Sequence, residues 1–396
     1  MRILMITPYL PYPLHSGGQI RSYNLIKNLS AEHEIILLSF MKQVVPEYIS
    51  EMKKYCSKVH VISRRKAFSL QNILLAGLTP YPFLVTIYLS QSLKKKIKET
   101  LAQKRYDLIH AETFYVMPNI PKTAVPILLV EQTIEYLVYA HFVNSFRNPF
   151  LKPLLAIDVS KIKFWESFYW RKADKVVAMS NADRAKMLSQ VANLSCEIIP
   201  NGIDAQFFAQ VRRPRDKVKT VVFVGNFSWL QNREAVDFLV DKIWPRIKRQ
   251  IRDVKLLIVG MNPTHKIIEL GGKNDITIDA NVTDIRETYA SASVLLAPIF
   301  GPGGTRFKIL EAMSSGVPVV TTQTGIEGIP AQDGQHVLMG ETTDQLAALT
   351  VKILQDEKLA QNLAENAKIL VQTQFSWEKI SDQLNKLYAK VANIKN

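Results

Sequence analysis

Cysteine is scarce in this 396-residue chain, with two residues, Cys56 and Cys196, far apart in sequence. Neither sits in a metal-binding or redox spacing, so buried free thiols in a reducing compartment are the expectation. Cys, His and Asp residues form no cluster with metal-ligand spacing, so no metal cofactor is expected. A Gly-x-Ser-x-Gly elbow and a Gly-x4-Gly-Lys-Ser/Thr loop are both missing, which removes the usual anchors of a hydrolase or an NTPase. Apolar runs are too short or too interrupted to span a bilayer. There is no signal-peptide pattern, because Met1-Arg2 leads straight into a strand-length ILMIT and then Pro8. Helix-turn-helix, zinc-finger and RNA-recognition patterns are absent, so nucleic acid is not an expected partner. No internal repeat is visible. A cytoplasmic protein is expected, in contact at most with the inner face of a membrane.

Acidic residues are also short in one half. Residues 1–200 hold 26 Lys/Arg against 14 Asp/Glu, residues 201–396 hold 24 against 21, and residues 51–100 hold ten against two. Charge concentrated in this way points to an anionic surface or an anionic acceptor. Two basic, aromatic stretches, 64–99 and 144–172, mix Lys/Arg with Phe, Trp, Tyr and Leu. That is the composition of an interfacial surface as well as of ordinary packed amphipathic helices. Peripheral contact with an anionic membrane is the expectation for the patch as a whole.

The chain is rich in short, unalternated Val/Ile/Leu runs, and 47% of it is hydrophobic. Strands are predicted at 2–7, 34–40, 58–63, 107–111, 126–131, 175–180 and 196–200. A second series follows at 220–225, 255–260, 276–280, 293–298 and 317–322. Runs without alternation suit a parallel sheet covered on both faces, and intervening helices imply right-handed crossovers. Two such series imply two Rossmann-like domains. The turn signals of Ile199-Pro200-Asn201-Gly202 and the polar linker 211–219 mark a boundary. The divisions expected are 1–200, 201–375, and a C-terminal helix over 376–396.

The most informative segment is GPGGTRFKILEAMSSGVPVVTT, residues 301–322. It reads as a glycine loop, a short amphipathic helix and a buried strand. Gly301, Gly303 and Gly304 leave backbone N–H groups bare, and the helix they open aims its positive end at the same spot. Arg306 and Lys308 add full charge, so a phosphate-rich ligand is the natural guest. Glu311, expected two turns into the helix, is an acceptor-only group suited to sugar hydroxyls. Gly17 and Gly18, after the first strand, offer a similar bare helix start beside Arg21.

The run from Gly303 to Thr321 resembles the donor-sugar motif of GT-B glycosyltransferases, specifically the large retaining family 4. The resemblance extends over nearly the whole chain. It implies an α/β GT-B fold, two doubly wound parallel-sheet domains facing across a cleft. A nucleotide-sugar would be held by the second domain, and a saccharide or lipid-linked acceptor by the basic first domain. It implies an enzyme of hexosyltransferase type acting with retention in cell-envelope or exopolysaccharide synthesis. Metal independence fits the absence of a strand-end Asp-x-Asp. In such enzymes the leaving diphosphate itself can take the acceptor proton.

Residue by residue, Gly17 and Gly18 match the family's Gly-Gly loop, and Gly225-Asn226 match a subgroup reading Gly-Asn-Met-x4-Asn-x2-Ala. Gly303, Gly304, Thr305, Arg306, Lys308 and Glu311 complete the donor site, with Glu311 on the ribose. The family's earlier glutamate would fall at 303, which is glycine here. Its loop Arg and Lys are missing too, leaving Arg233 as the base nearest that loop and Arg306 and Lys308 as the phosphate-binding replacements. Asp107-Leu108-Ile109-His110 resembles the family's Asp-x-x-His. Glu131-Gln132-Thr133-Ile134-Glu135 resembles its His-Asn-x-Glu, with Gln132 at the His position. His110, Glu135 and Arg306 are the candidates for catalysis. A GT-B nucleotide-sugar epimerase and a non-catalytic nucleotide-sugar-binding scaffold are the alternatives.

Overall fold

The computed structural model describes residues 1–146, 148–211, 218–303 and 306–394. The chain divides into two compact units, Met1–Pro200 with Trp377–Asn396, and Asn201–Ser376.

The first unit is built on seven strands: β1 (Arg2–Thr7), β2 (Glu34–Met41), β3 (Lys58–Ser63), β4 (Leu108–Glu112), β5 (Ile127–Val130), β6 (Lys175–Ala178) and β7 (Cys196–Ile198). Their order is β3-β2-β1-β4-β5-β6-β7, with every pairing parallel. Five of the six β1 residues and all of β4 and β5 are buried. This burial is what runs lacking polar alternation require. At the opposite edge from the ligand side, Arg2 pairs with Glu34 at 2.7 Å and fixes the start of the β1/β2 register.

The helices that matter for function are α1 (Gly17–Leu29), α2 (Leu70–Leu78), α3 (Glu135–Ser145) and α4 (Lys152–Lys172). Ser16 caps α1 by accepting from the Gln19 N–H.

The second unit carries β8 (Lys219–Val224), β9 (Val254–Val259), β10 (Ile276–Asp279), β11 (Val294–Ala297), β12 (Val319–Thr321) and β13 (Leu338–Met339). Their order is β10-β9-β8-β11-β12-β13, again all parallel. Twelve strands fall on sequence-predicted runs; β13, two residues long, is too short to show in the pattern. Two further helices frame the candidate site, α5 (Leu230–Phe238) and α6 (Phe307–Ser314). The last helix, α7 (Trp377–Ala392), is counted with the first unit and buries Ile380, Leu384, Leu387, Tyr388 and Val391.

Strand order reverses between β1 and β4 in one sheet and between β8 and β11 in the other. Such a switch point opens a crevice at the carboxyl ends of the strands, where open α/β sheets bind ligands. In the second unit the crevice floor is set by glycine. A Cβ on Gly260, whose φ is +147°, would lie 1.7 Å from the Gly225 carbonyl oxygen, so the loops after β8 and β9 meet because Gly260 lacks a side chain.

Candidate active site

At the β8/β11 switch point, α6 and its N-cap carry three charged side chains: Lys308 reaches the start of α5, Arg306 the Gly301 carbonyl, and Glu311 the Tyr289 hydroxyl. Helix α6 spans eight residues and begins later than the glycine loop suggests. Arg306 is its N-cap residue, Lys308 is in its first turn, and Glu311 lies little more than one turn in rather than two. Lys308 Nζ donates to Asn232 Oδ1 at 2.7 Å and sits 4.3 Å above the Phe223 ring. Asn232 in turn donates to the Asn226 carbonyl at 2.8 Å, so the α5 start, the β8 loop and α6 are tied together. A Cβ at Gly225 would come within 3.2 Å of Lys308 Nζ, so the glycine makes room for the ammonium. Burial, and then the Arg306 charge, push the Lys308 pKa down to about 7, while Glu311 pulls it upward.

Glu311 accepts a 2.8 Å hydrogen bond from the Tyr289 hydroxyl. Burial raises the Glu311 pKa, and Tyr289 and Lys308 oppose that shift. Tyr289 is fully buried and occupies one lone pair of the Glu311 carboxylate. Arg306 Nη2 donates to the Gly301 carbonyl at 2.8 Å. A Cβ at Gly303 would lie 2.3 Å from Arg306 Nη1, and the Gly303 φ is +154°. The guanidinium therefore occupies the space a side chain at 303 would need. Gly304 and Thr305 lie outside the described residues. Arg233 is turned to the Phe227 carbonyl at 3.3 Å. Trp229, Met261 and Phe300 are exposed on the loops after β8, β9 and β11.

In the first unit the β1/β4 switch point carries a continuous hydrogen-bonded chain. His110 is fully buried, with Nδ1 2.5 Å from the Tyr388 hydroxyl and Nε2 3.0 Å from Glu112 Oε1. A carboxylate only accepts, so in a neutral ring Nε2–H donates to Glu112 and Nδ1 accepts from Tyr388. Gln132 Nε2 donates to Glu112 Oε2 at 2.7 Å, and Tyr9 donates to Gln132 Oε1 at 3.0 Å. Burial alone would raise the Glu112 pKa; the bonds to His110 and Gln132 and the charge of Arg21 outweigh it and hold the group low.

Gly18 closes this chain from outside, since a Cβ there would strike the Tyr9 hydroxyl at 1.9 Å. Gly17 is the first residue of α1 beside it. Arg21, buried, donates to the Pro200 and Ile199 carbonyls at 2.6 and 3.0 Å. It thereby anchors the end of the first unit's sheet chain.

Glu135 opens α3, with its N–H and that of Tyr136 held by the buried Glu166 carboxylate at 2.7 and 3.2 Å. Burial lifts the Glu135 pKa to about 7. Its charge is felt by Tyr9, Tyr88, Tyr115 and Tyr139, an aromatic surround at the carboxyl edge of the sheet.

Two family models tile most of the sequence. The model "Glycosyltransferase Family 4" matches residues 15–207, and "Glycosyl transferases group 1" matches residues 218–356. The chain belongs to the family 4, group 1 glycosyltransferases. A Klebsiella pneumoniae relative, an uncharacterized 44.6 kDa protein in the cps region, is 21% identical, covering 97% of this chain and 99% of its own. The phosphatidyl-myo-inositol mannosyltransferase of Mycobacterium leprae is 23% identical over 79% of this chain and 82% of its own.

Among solved structures, the Thermosynechococcus elongatus sucrose-phosphate synthase superposes with a TM-score of 0.71 at 19% identity, covering 98% and 99% of the two chains. Anabaena HepE in complex with UDP and glucose gives 0.65 at 16% identity, covering 98% and 99%. The fold is GT-B, with a seven-stranded and a six-stranded parallel sheet.

Within this glycosyltransferase the structure brings Gly225, Asn226, Gly303, Arg306, Lys308 and Glu311 to one sheet edge. His110 lies in the interior of the first unit, with both ring nitrogens engaged by Tyr388 and Glu112. Glu112, Tyr289 and Tyr388 were not singled out by the sequence. Glu112 falls one residue past the predicted strand 107–111, and Tyr388 meets its partner across 278 positions. The Gly-Asn-Met-x4-Asn-x2-Ala pattern already carries the second asparagine at 232, which the structure places in the first turn of α5.

Proposed function

We propose that this glycosyltransferase moves a sugar from a nucleoside-diphosphate sugar to a saccharide or lipid-linked acceptor, with retention and without a metal. The observation that carries the reading is the α6 cluster: two cations and one carboxylate on a single short helix, at a switch point, beside bare glycine backbone. Arg306 suits bidentate contact with the diphosphate and Lys308 acts on it as a point charge. Glu311, steadied by Tyr289, takes the ribose hydroxyls. Charge develops on the diphosphate as the sugar departs, and cations already fixed in place stabilise that charge without reorganising. Glu135 is the acceptor-side carboxylate, and His110 is a positioning residue that keeps Glu112 ionised and oriented.

The UDP and glucose bound to Anabaena HepE support a nucleotide-sugar donor. The phosphatidyl-myo-inositol mannosyltransferase relative supports a lipid-linked acceptor, and on that reading the acceptor belongs to envelope or exopolysaccharide synthesis. No helix among the described residues is long and apolar enough to cross a membrane.

The test is calorimetric binding of a panel of nucleotide-sugars to wild type, Arg306→Ala and Glu311→Ala, followed by transfer assays with lipid-linked acceptors. One donor should bind wild type and be lost from Arg306→Ala. If both variants transfer at the wild-type rate, the site assignment is wrong. Isomerised sugar formed with no acceptor present replaces transfer by epimerisation, and binding without any turnover makes the protein a scaffold.

A further inference from the structure

Helix α2 is built inside out. Its sequence, LQNILLAGL, is almost wholly apolar, yet its one fully buried side chain is Asn72. The Asn72 amide donates to the Lys66 and Ala67 carbonyls and accepts from Arg65 Nε at 3.0 Å. Arg65 goes on to the Thr86 and Leu89 carbonyls. Polar bonds therefore fasten the helix to the body of the unit. The apolar stripe points away: Leu70 is 72% exposed, Ile73 and Leu74 50% each, and Leu78 83%. Positions i, i+3, i+4 and i+8 are the stripe that a water-soluble domain turns to its core. Phe68 extends it at the N-terminal end.

Helix α4 repeats the arrangement beside it. Leu154, Ile157, Phe164 and Phe168 are exposed along its length, with Phe150 and Leu151 just before it. The two helices are joined by polar contacts. Lys161 Nζ donates to the Ala76 and Thr79 carbonyls at 2.7 and 3.0 Å, and Trp165 Nε1 donates to the Pro80 carbonyl at 2.9 Å. Tyr81 stacks on Trp165 at 4.5 Å.

Charge completes the picture. Residues 64–78 contain Arg64, Arg65 and Lys66 and no acid; residues 150–172 add Lys152, Lys161, Lys163, Arg171 and Lys172. The two carboxylates there are both tied inward, Asp158 to the Phe83 N–H and Glu166 to the start of α3. An exposed apolar surface of this extent, with Lys66, Lys163 and Lys172 on the same segments, marks an interaction site.

We propose that α2 and the exposed stripe of α4 lie in the headgroup layer of an anionic bilayer, with the leucines and phenylalanines below and the lysines at the phosphates. A second copy of the chain is disfavoured by charge, because a two-fold interface through this face would set cation against cation. Anionic lipid supplies both the apolar medium and the countercharge. The inference deepens the lipid-linked acceptor reading and takes its purpose from it; the contact itself stands on the exposed stripes.

The experiment is flotation of the full chain with vesicles of phosphatidylcholine alone, or of phosphatidylcholine mixed equally with phosphatidylglycerol, without donor or acceptor. Wild type should float with the anionic vesicles only. Leu70→Ser/Leu78→Ser, which alters exposed side chains, should bind roughly 10-fold less, as should Lys163→Glu/Lys172→Glu. Failure of wild type to bind anionic vesicles overturns the proposal, and so does equal binding by the serine variant. A wild-type dimer that the serine variant converts to monomer in light scattering overturns it in favour of self-association. Vesicle binding that persists in a protein with no transferase activity would leave this surface standing and sink the enzymatic reading alone.

Discussion

Binding of a nucleoside diphosphate should draw a proton onto Lys308. In the free protein burial and the neighbouring Arg306 hold its pKa down to about 7. Diphosphate charge arriving within about 4 Å favours the ammonium form and returns the pKa toward the ordinary lysine value of about 10.4. Across that window each pH unit is worth about 1.36 kcal/mol. Raising the pH from about 7 to about 9 should then weaken UDP binding by up to about 2.7 kcal/mol, or about 100-fold. The terminal phosphate of UDP, with a pKa near 6, is already ionised there and adds no slope of its own.

Calorimetry at about pH 8 in two buffers of different ionisation enthalpy should count about 0.9 proton taken up per UDP. Lys308→Met should show none. Without ligand the sign is opposite. The lysine binds its proton more weakly in the folded chain than in the unfolded one, so the free protein gains stability as pH rises through about 7 to 10. The ceiling of that gain is about 4–5 kcal/mol, and solvent screening of a partly exposed ammonium reduces it to roughly 2 kcal/mol. Lys308→Met should therefore be no less stable than wild type at about pH 6, measured by thermal unfolding. If UDP affinity is flat over the window, or the methionine variant takes up the same proton, Lys308 does not face the diphosphate.

Three other outcomes follow from the geometry. Tyr289→Phe removes the hydroxyl that bonds Glu311, and should weaken donor binding by about 1 kcal/mol in calorimetry with little change in the secondary structure seen by circular dichroism. Gly260→Ala puts a methyl group 1.7 Å from the Gly225 carbonyl in a positive-φ position; thermal unfolding should show a loss of more than about 3 kcal/mol, mostly from the second unit. Glu135, lifted to about 7 by burial, is protonated below that value, so kcat/KM for transfer should rise with pH through about 7 and the acid limb should vanish in Glu135→Gln.

The sheets were legible because burial on both faces forces unalternated Val/Ile/Leu runs, and twelve strands announced themselves that way. Helix α6 was legible in kind but not in extent: the chain turns helical only after Arg306, whose guanidinium lies over Gly303 instead of pointing away from the loop. Gly303 itself has a φ of +154°, a conformation that favours glycine over the glutamate the resemblance implies there.

The acid–imidazole chain from Tyr388 to Tyr9 was invisible for a different reason. Hydrogen-bond partners separated by 278 or 123 residues leave no periodic trace in sequence. Composition flagged α2 and α4 as basic and aromatic. The interfacial reading of those stretches did not say which helix turns its stripe outward, because a stripe of the same spacing serves equally well against a core.

The interruption of the first unit has a bearing on how the protein is made. Residues 1–200 leave the ribosome first, but the helix that supplies Tyr388 to His110 and Asn385 to His33 comes last. At translation rates of about 5–20 residues per second, some 10–40 s separate Pro200 from the end of α7. During that interval the first half lacks the hydroxyl that meets its buried histidine, and the second unit, continuous in sequence, has its last residue made before α7 begins. The half made first is thus the last to have all its parts. A chaperone that binds nascent chains would find its substrate in the half made earlier.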